Sequence, residues 1–138
     1  MAVQIQIHPL DLQEDVAIGI DLPMMVGEGA GFELNYTTLK QAAANSINLL
    51  LTNKGERIML PTFGCDLGKD LFETVSLGNA AIIKRRVVSN FKTWLPYVFI
   101  NQLEVLAFPD QRKYGLNMII SLERNQFDTM SIQLAITE

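Results

Sequence analysis

Residues 49–73 read LLLTNKGERIMLPTFGCDLGKDLFE, and the reading of this stretch decides the fold. It is the end of an apolar helix, a stop, an irregular connector and a short new helix. Ile47, Leu49, Leu50 and Leu51 are the last apolar residues of the first helix. Gly55 follows them where a helix commonly ends in a left-handed residue without a Cβ clash. Pro61 has no N–H for a sheet ladder, which excludes the connector from a central strand. Gly64 is expected in a backbone conformation closed to other residues. Asp66 stands where a helix N-cap belongs, its carboxylate available to unpaired N–H groups. Leu67 and Leu71 fall one turn apart in the helix that follows.

Upstream, the spacing predicts a helix over residues 38–52. Thr38 and Gln41 have the spacing of a capping box. Leu39, Ala43, Ile47 and Leu50 make one apolar stripe, and Ala42 and Ala44 allow close packing. Downstream, a second long helix is predicted over residues 79–95, capped by Ser76 or Asn79. Ile83, Val87, Phe91 and Trp94 line one face, while Lys84, Arg85, Ser89 and Lys92 face elsewhere. Pro96 ends it, because its ring excludes the preceding residue from helical geometry. From Phe99 onward the period changes to two. Leu103, Val105 and Ala107 alternate with polar neighbours, then Tyr114, Leu116, Met118, Ile120 and Leu122, then Met130, Ile132, Leu134 and Ile136. Turns at residues 110–112 and 124–126 join these runs into an antiparallel meander. Helices followed by strands give an α+β fold, with one apolar sheet face lying on the helices.

Residues 1–35 read as an extended arm in front of a single α+β domain, residues 36–138. Val3, Ile5 and Ile7 alternate with polar residues, as do Val16, Ile18 and Ile20, and His8-Pro9 and Leu22-Pro23 interrupt them. Gly27, Gly29 and Gly31 read as a flexible connector, since no P-loop lysine follows them.

The 138 residues are 49% hydrophobic and 19% charged, which suits one folded domain and argues against general disorder. No apolar run approaches the roughly 20 residues of a membrane span, and the N-terminal residues lack the pattern of a signal peptide. A net charge of −4 gives no support to nucleic-acid binding. The single Cys65 excludes an internal disulfide, and with the single His8 it makes a Cys/His metal site untenable. Cys65 is expected to be a small buried apolar group. The charge is unevenly spread. Before Lys40 there are only acids, Asp11, Glu14, Asp15, Asp21, Glu28 and Glu33, while bases cluster at Lys84, Arg85, Arg86 and Lys92 and again at Arg112, Lys113 and Arg124. These are solvated faces, or an acidic arm lying against a basic surface of this chain or a neighbour. Glycoside hydrolysis needs two facing carboxyls, one with a raised pKa. The candidates are Glu56, Asp66, Asp70 and Glu73, and capping and exposure account for them without a cleft.

The pattern Gly55-Glu56-Arg57, Pro61, Phe63-Gly64-Cys65-Asp66-Leu67 and Leu71-Phe72-Glu73 resembles the baseplate wedge or sheath initiator family of contractile phage tails. That family has relatives in type VI secretion systems, and some members were once labelled lysozymes. The resemblance is sharpest over residues 36–75 and extends to the C-terminus by element order. It implies a structural protein rather than an enzyme, placed in the tail baseplate of a virion assembled in the host cytoplasm. The implied partners are the tail sheath protein, the core-bundle proteins of the wedge, and tail tube or hub proteins. No nucleic acid, membrane or cofactor is implied. Arg57 matches an arginine of the family motif, which implies bracing or a partner contact. Relatives often carry Glu-Pro-Arg after the long helix, associated with seating on the wedge core bundle. Here the residues are Leu95-Pro96-Tyr97, so either docking is expected on Trp94, Leu95, Pro96 and Tyr97 as apolar and aromatic anchors, or the partner differs.

The last strand, Thr129, Met130, Ser131, Ile132, Gln133, Leu134, Ala135 and Ile136, has no charge, proline or glycine to protect an edge. At the margin of the sheet it would be an open template, and the resemblance implies that sheath protein adds a strand there. The alternative is that an N-terminal strand over residues 3–7 covers it. The competing functions are a peptidoglycan-degrading, lysozyme-like enzyme, and the equivalent subunit of a type VI secretion or other contractile injection machine.

Overall fold

The computed structural model describes residues 7–27, 31–72 and 76–137. In chain order they form a 3-10 turn at Pro9–Leu12, β1 (Gly19–Ile20), β2 (Leu34–Asn35), α1 (Thr38–Leu51) and a 3-10 turn at Lys69–Phe72. Then come α2 (Leu77–Trp94), β3 (Val98–Phe108), a 3-10 turn at Pro109–Gln111, β4 (Lys113–Leu122) and β5 (Asn125–Ile136). β3, β4 and β5 make an antiparallel meander in that order, and the α+β expectation holds.

The period-two pattern places one apolar face of this sheet on the helices. Leu103, Tyr114, Leu116, Met118, Ile120, Ile132 and Ile136 are buried there. In β3 the buried phase moves from even positions (Val98, Ile100) to odd ones (Leu103, Val105). A bulge makes the shift: Ile100 pairs with Ile120 and Gln102 with Ile119, leaving Asn101 as the extra residue. α2 packs over β3, and α1 over β4 and β5. The expected α2 stripe is buried at Ile83, Val87 and Phe91, with Trp94 packed at its margin. On α1, Ala42, Ala43 and Ala44 are all buried with Leu49 and Leu50, so three small residues let the helix sit centrally.

The helix starts need two statements. Ser76 is the cap of α2, its side chain accepting from the Asn79 N–H. The expected Thr38–Gln41 capping box does not form. Thr37 is the cap of α1, and Thr38 lies inside the helix, its N–H and Oγ1 both donating at 2.6 Å to the Asp11 carboxylate. Gln41 instead accepts from Asn35 Nδ2 at 3.1 Å and donates to Asn45 at 3.0 Å. A charged acceptor at a helix N-terminus forms stronger bonds than a neutral local side chain, and it benefits from the helix dipole.

The arm is folded onto the body through Asp11, through a 3.1 Å ion pair between Asp21 and Lys40, and through the β1–β2 ribbon. Gly27 and Gly31 are joined directly: the Gly27 N–H donates to the Gly31 carbonyl at 2.7 Å, and Val26 bridges Phe32. Residues 3–6 of the expected first strand, Gly29, and Glu73 lie outside the described residues. No helix among the described residues is long and apolar enough to cross a membrane.

Candidate functional site

The connector leaves α1 and returns to it. Gly55 takes φ +91, and its N–H donates to the Pro61 carbonyl at 2.9 Å, closing the base of the loop. Leu60 N–H donates to Arg57 O, and Phe63 N–H to Leu60 O, both at 3.1 Å. The Arg57 guanidinium lies 4.2 Å from the Phe63 ring centre and donates to Asn48 Oδ1 at 2.9 Å. Phe63 meets Trp94 edge-on at 5.3 Å. Arg57 therefore braces the loop against α1 and the end of α2, combining a fork-shaped donor with a cation–π contact. This rigid frame leaves Ile58 and Met59 almost wholly exposed at the tip.

Gly64 has φ +122, and a Cβ there would strike the Thr52 carbonyl. The close approach lets the Cys65 N–H donate to Thr52 O at 3.0 Å. Cys65 is fully buried, as expected, and burial pushes its thiol up to about 12. A protonated thiol in that setting is no nucleophile. Asp66 is not an N-cap. Its φ of +56 turns the carboxylate back to accept from the Lys54 N–H at 2.8 Å, at the exit of α1, and it pairs with Lys69 at 3.0 Å. The element after it is a 3-10 turn, too short to offer the N–H groups of an α-helix.

Among the described residues the candidate carboxylates, Glu56, Asp66 and Asp70, are all engaged. Glu56 accepts from the Asn53 N–H at 2.9 Å and Asn53 Nδ2 at 2.7 Å, and these bonds hold its pKa below the ordinary range. Burial raises that of Asp66, but the Lys69 and Lys54 contacts outweigh it and leave the value lowered. Asp70 is buried and ion-paired with Arg86 at 2.8 Å. A glycosidase acid requires a raised pKa, the opposite of the shift at Glu56 and Asp66.

At the end of α2, Trp94 is half-buried and Pro96 and Tyr97 are exposed, with the Tyr97 hydroxyl accepting from Asn45 Nδ2 at 2.9 Å. Leu95 belongs to the core and offers no anchor. A helix end turns one of its last side chains inward, and sequence did not say which. β5 lies at one margin of the meander, paired with β4 through registers such as Asn117 with Gln133. Among the described residues no strand pairs with its outer edge. Residues 129, 131, 133 and 135 are exposed on the outer face, and Ile132 and Ile136 are buried beneath.

The residues that hold these surfaces include Gln41, which the sequence pattern singles out only for a cap, and others that it does not single out. Gln41, Asn45 and Asn48 fall at helical spacing on α1 and hold Asn35, Tyr97 and Arg57 through their side chains, while the Thr52 backbone carbonyl, just past the helix, accepts from the Cys65 N–H. A row of amides repeating every three to four residues was the available signal. Asp11 gave none, since its partner Thr38 is 27 residues away.

Comparison with known proteins gives consistent results. No protein-family model matches the chain. It is 31% identical over 78 residues to the baseplate wedge protein gp25 of Enterobacteria phage T4, a match covering 56% of this chain and 58% of that protein. The match thus spans less than two thirds of the relative's length. Two solved structures share the fold. One is described as a tail lysozyme of Geobacter sulfurreducens, with a TM-score of 0.59, 18% identity, and coverage of 71% of this chain and 89% of that one. The other belongs to the anti-feeding prophage baseplate, with a TM-score of 0.55, 14% identity, and coverage of 86% and 84%. The curated relative is thus a baseplate wedge protein, and the two structures share the fold.

Proposed function

We propose that this chain is a structural subunit of a contractile-tail baseplate wedge, and that β5 is the strand on which the first sheath protein assembles. The observation that carries the reading is the place of β5: a marginal strand with no charge, proline or glycine over residues 129–136. A free edge of this kind is a liability in a monomer and a template in an assembly. Main-chain hydrogen bonds give the affinity, and side-chain alternation sets the register. In this reading Trp94, Pro96 and Tyr97 seat the α+β domain, residues 36–138, on the wedge core bundle, and residues 1–35 are an arm for further contacts. The similarity to a baseplate wedge protein supports the placement in a virion tail. An equivalent place in an injection machine would use the same surfaces.

Gln133→Pro tests the template, because it removes one backbone donor and leaves the buried face intact. The expected result is baseplates that contain the variant and carry no sheath. Gln133→Lys, which keeps the N–H but charges the edge, is the companion if the proline variant fails to fold. Normal sheath on baseplates holding either folded variant refutes the reading. Purified protein is expected to leave peptidoglycan intact, and cleavage abolished by Glu56→Gln would put a hydrolase in its place.

A further inference from the structure

α2 holds four of the chain's 11 bases and none of its 15 acids. Arg86 is used inside the molecule, on the buried Asp70 carboxylate. Lys84, Arg85 and Lys92 are exposed, and among the described residues no acid pairs with them. The core side of the helix is set by Ala80, Ile83, Val87 and Phe91, so the helical repeat fixes what lies opposite. Gly78, Ile82, Arg85, Ser89 and Lys92 follow one another there at alternate steps of four and three residues, and all are exposed. Steps of four and three draw a straight seam on a helix, the line along which a second helix lies. Gly78 and Ser89 are small, which lets a partner come close. Ile82 is 48% exposed in the same line, and Leu77, at the start of the helix, is 83% exposed. Arg85 and Lys92 stand two turns apart, about 10 Å along the axis.

The residues on the seam select its occupant by charge. Two unpaired cations on a rigid helix are complementary to two acids at the same separation, and Ile82 beside them is complementary to an apolar side chain. We propose that the solvent face of α2 receives an acidic amphipathic helix of a second baseplate protein, with carboxylates two turns apart against Arg85 and Lys92 and an apolar residue against Ile82. The proposal rests on the baseplate reading for the partner's location, and on α2 alone for its chemistry. It adds a contact to the one assigned to Trp94, Pro96 and Tyr97, since the seam leads to that end of the helix. A nucleic acid supplies phosphates but nothing apolar for Ile82, and the chain's net charge of −4 opposes it. A membrane surface needs the apolar face of a helix, and that of α2 is buried in the core. A second copy of this chain has no acidic helix to offer, because α1 and α2 both lack aspartate and glutamate.

The test uses the full chain and the charge reversal Arg85→Glu with Lys92→Glu, two exposed positions on the side of α2 away from the core. The neutral pair Arg85→Gln with Lys92→Gln is the companion if the reversal disturbs folding, which circular dichroism reads. The probe is a helical peptide with a leucine stripe and glutamates seven residues apart, compared with the same peptide carrying lysines. In fluorescence anisotropy the wild type should bind the glutamate peptide about tenfold more tightly than the lysine peptide. The reversal should invert that preference and the neutral pair should abolish it. Ile82→Ser should weaken the glutamate peptide about threefold, which a purely ionic contact would not show. In cells whose tail genes lack this chain, the folded reversal variant should enter baseplates about tenfold less than the wild type. Equal binding of the two peptides by the wild type, a wild-type preference in either folded variant, or normal entry of the reversal variant overturns the proposal. So does tighter binding of duplex DNA or of phosphatidylcholine/phosphatidylglycerol vesicles than of the glutamate peptide, or a sedimenting dimer that the substitutions dissolve. A wild type that stays out of baseplates overturns the baseplate reading, and the peptide measurement then decides the α2 surface by itself.

Discussion

Gly64→Ala probes the connector where its geometry is most demanding. The residue has φ +122, a value that a side chain tolerates only at a cost of about 1–3 kcal/mol. The added Cβ would also lie 2.9 Å from the Thr52 carbonyl carbon and 3.1 Å from that of Asn53. Both atoms are backbone at the exit of α1, so relief requires the connector to move away. That movement stretches the 3.0 Å bond from the Cys65 N–H to Thr52 O, beside a fully buried side chain. Losing a buried bond of this kind adds about 1–3 kcal/mol. The sum is on the order of 3 kcal/mol, which for a chain of this size lowers the melting temperature by about 10 °C. Two other glycines isolate the causes. Gly55 has φ +91, but a Cβ there would meet nothing within 4 Å, so Gly55→Ala carries only the conformational cost, about 1–2 kcal/mol. Gly31 has neither a crowded site nor a left-handed φ, and Gly31→Ala should be nearly neutral. Thermal melts followed by circular dichroism should rank the three variants in that order. A Gly64→Ala loss no greater than that of Gly55→Ala would refute the claim that the connector is pinned against Thr52.

Tyr97→Ala removes an exposed ring and its bond to Asn45, so stability should fall by only about 1 kcal/mol while incorporation into baseplates drops; normal incorporation moves the docking surface elsewhere. Asp11→Ala removes the acceptor of the Thr38 N–H and should cost about 0.5–2 kcal/mol. It should also speed hydrogen exchange at Ile18 and Asp21, whose N–H groups bond the facing strand, and unchanged exchange there would show that Asp11 does not hold the arm. Asp66 has a lowered folded pKa, so its ionised form stabilises the fold fully above the ordinary aspartate value of 3.8, and that contribution is lost as pH falls through the lower, folded value. The gap in melting temperature between wild type and Asp66→Asn should therefore be present at neutral pH and close on acidification; a gap independent of pH would mean that the contacts with Lys54 and Lys69 do not depend on its charge.

What was legible in the sequence was what repeats. The α2 stripe and the three alternating runs fixed the helix and strands, and even the bulge at Asn101 is written there, as the change of phase between Ile100 and Leu103. Gly55 and Gly64 were legible because only glycine accepts their backbone angles. The misread positions are polar side chains with distant partners. Asp66 and Thr38 both looked like local caps, since an Asp or Thr before a helix usually is one. In the fold Asp66 serves Lys54, twelve residues back, and Thr38 is served by Asp11, 27 residues away. No periodicity encodes such pairs. Leu95 failed for a related reason: its neighbours Trp94 and Pro96 are as apolar, and only the path of β3 decides which of them turns inward.

The placement of the surfaces follows from α1. Its apolar side, with three consecutive alanines, lets the sheet approach closely. Its amide row runs from Gln41 through Asn45 to Asn48, and each member fixes a different surface: the ribbon through Asn35, the end of α2 through Tyr97 and the connector through Arg57. Every one of these bonds joins the same rigid helix, so the surfaces keep fixed positions relative to one another without depending on a loop. On the proposed reading, a subunit that holds a template strand at a set angle to its docking surface needs that property. Chemically different contacts anchored along one helix supply it at little cost in core, because the amides use the face that packing leaves free.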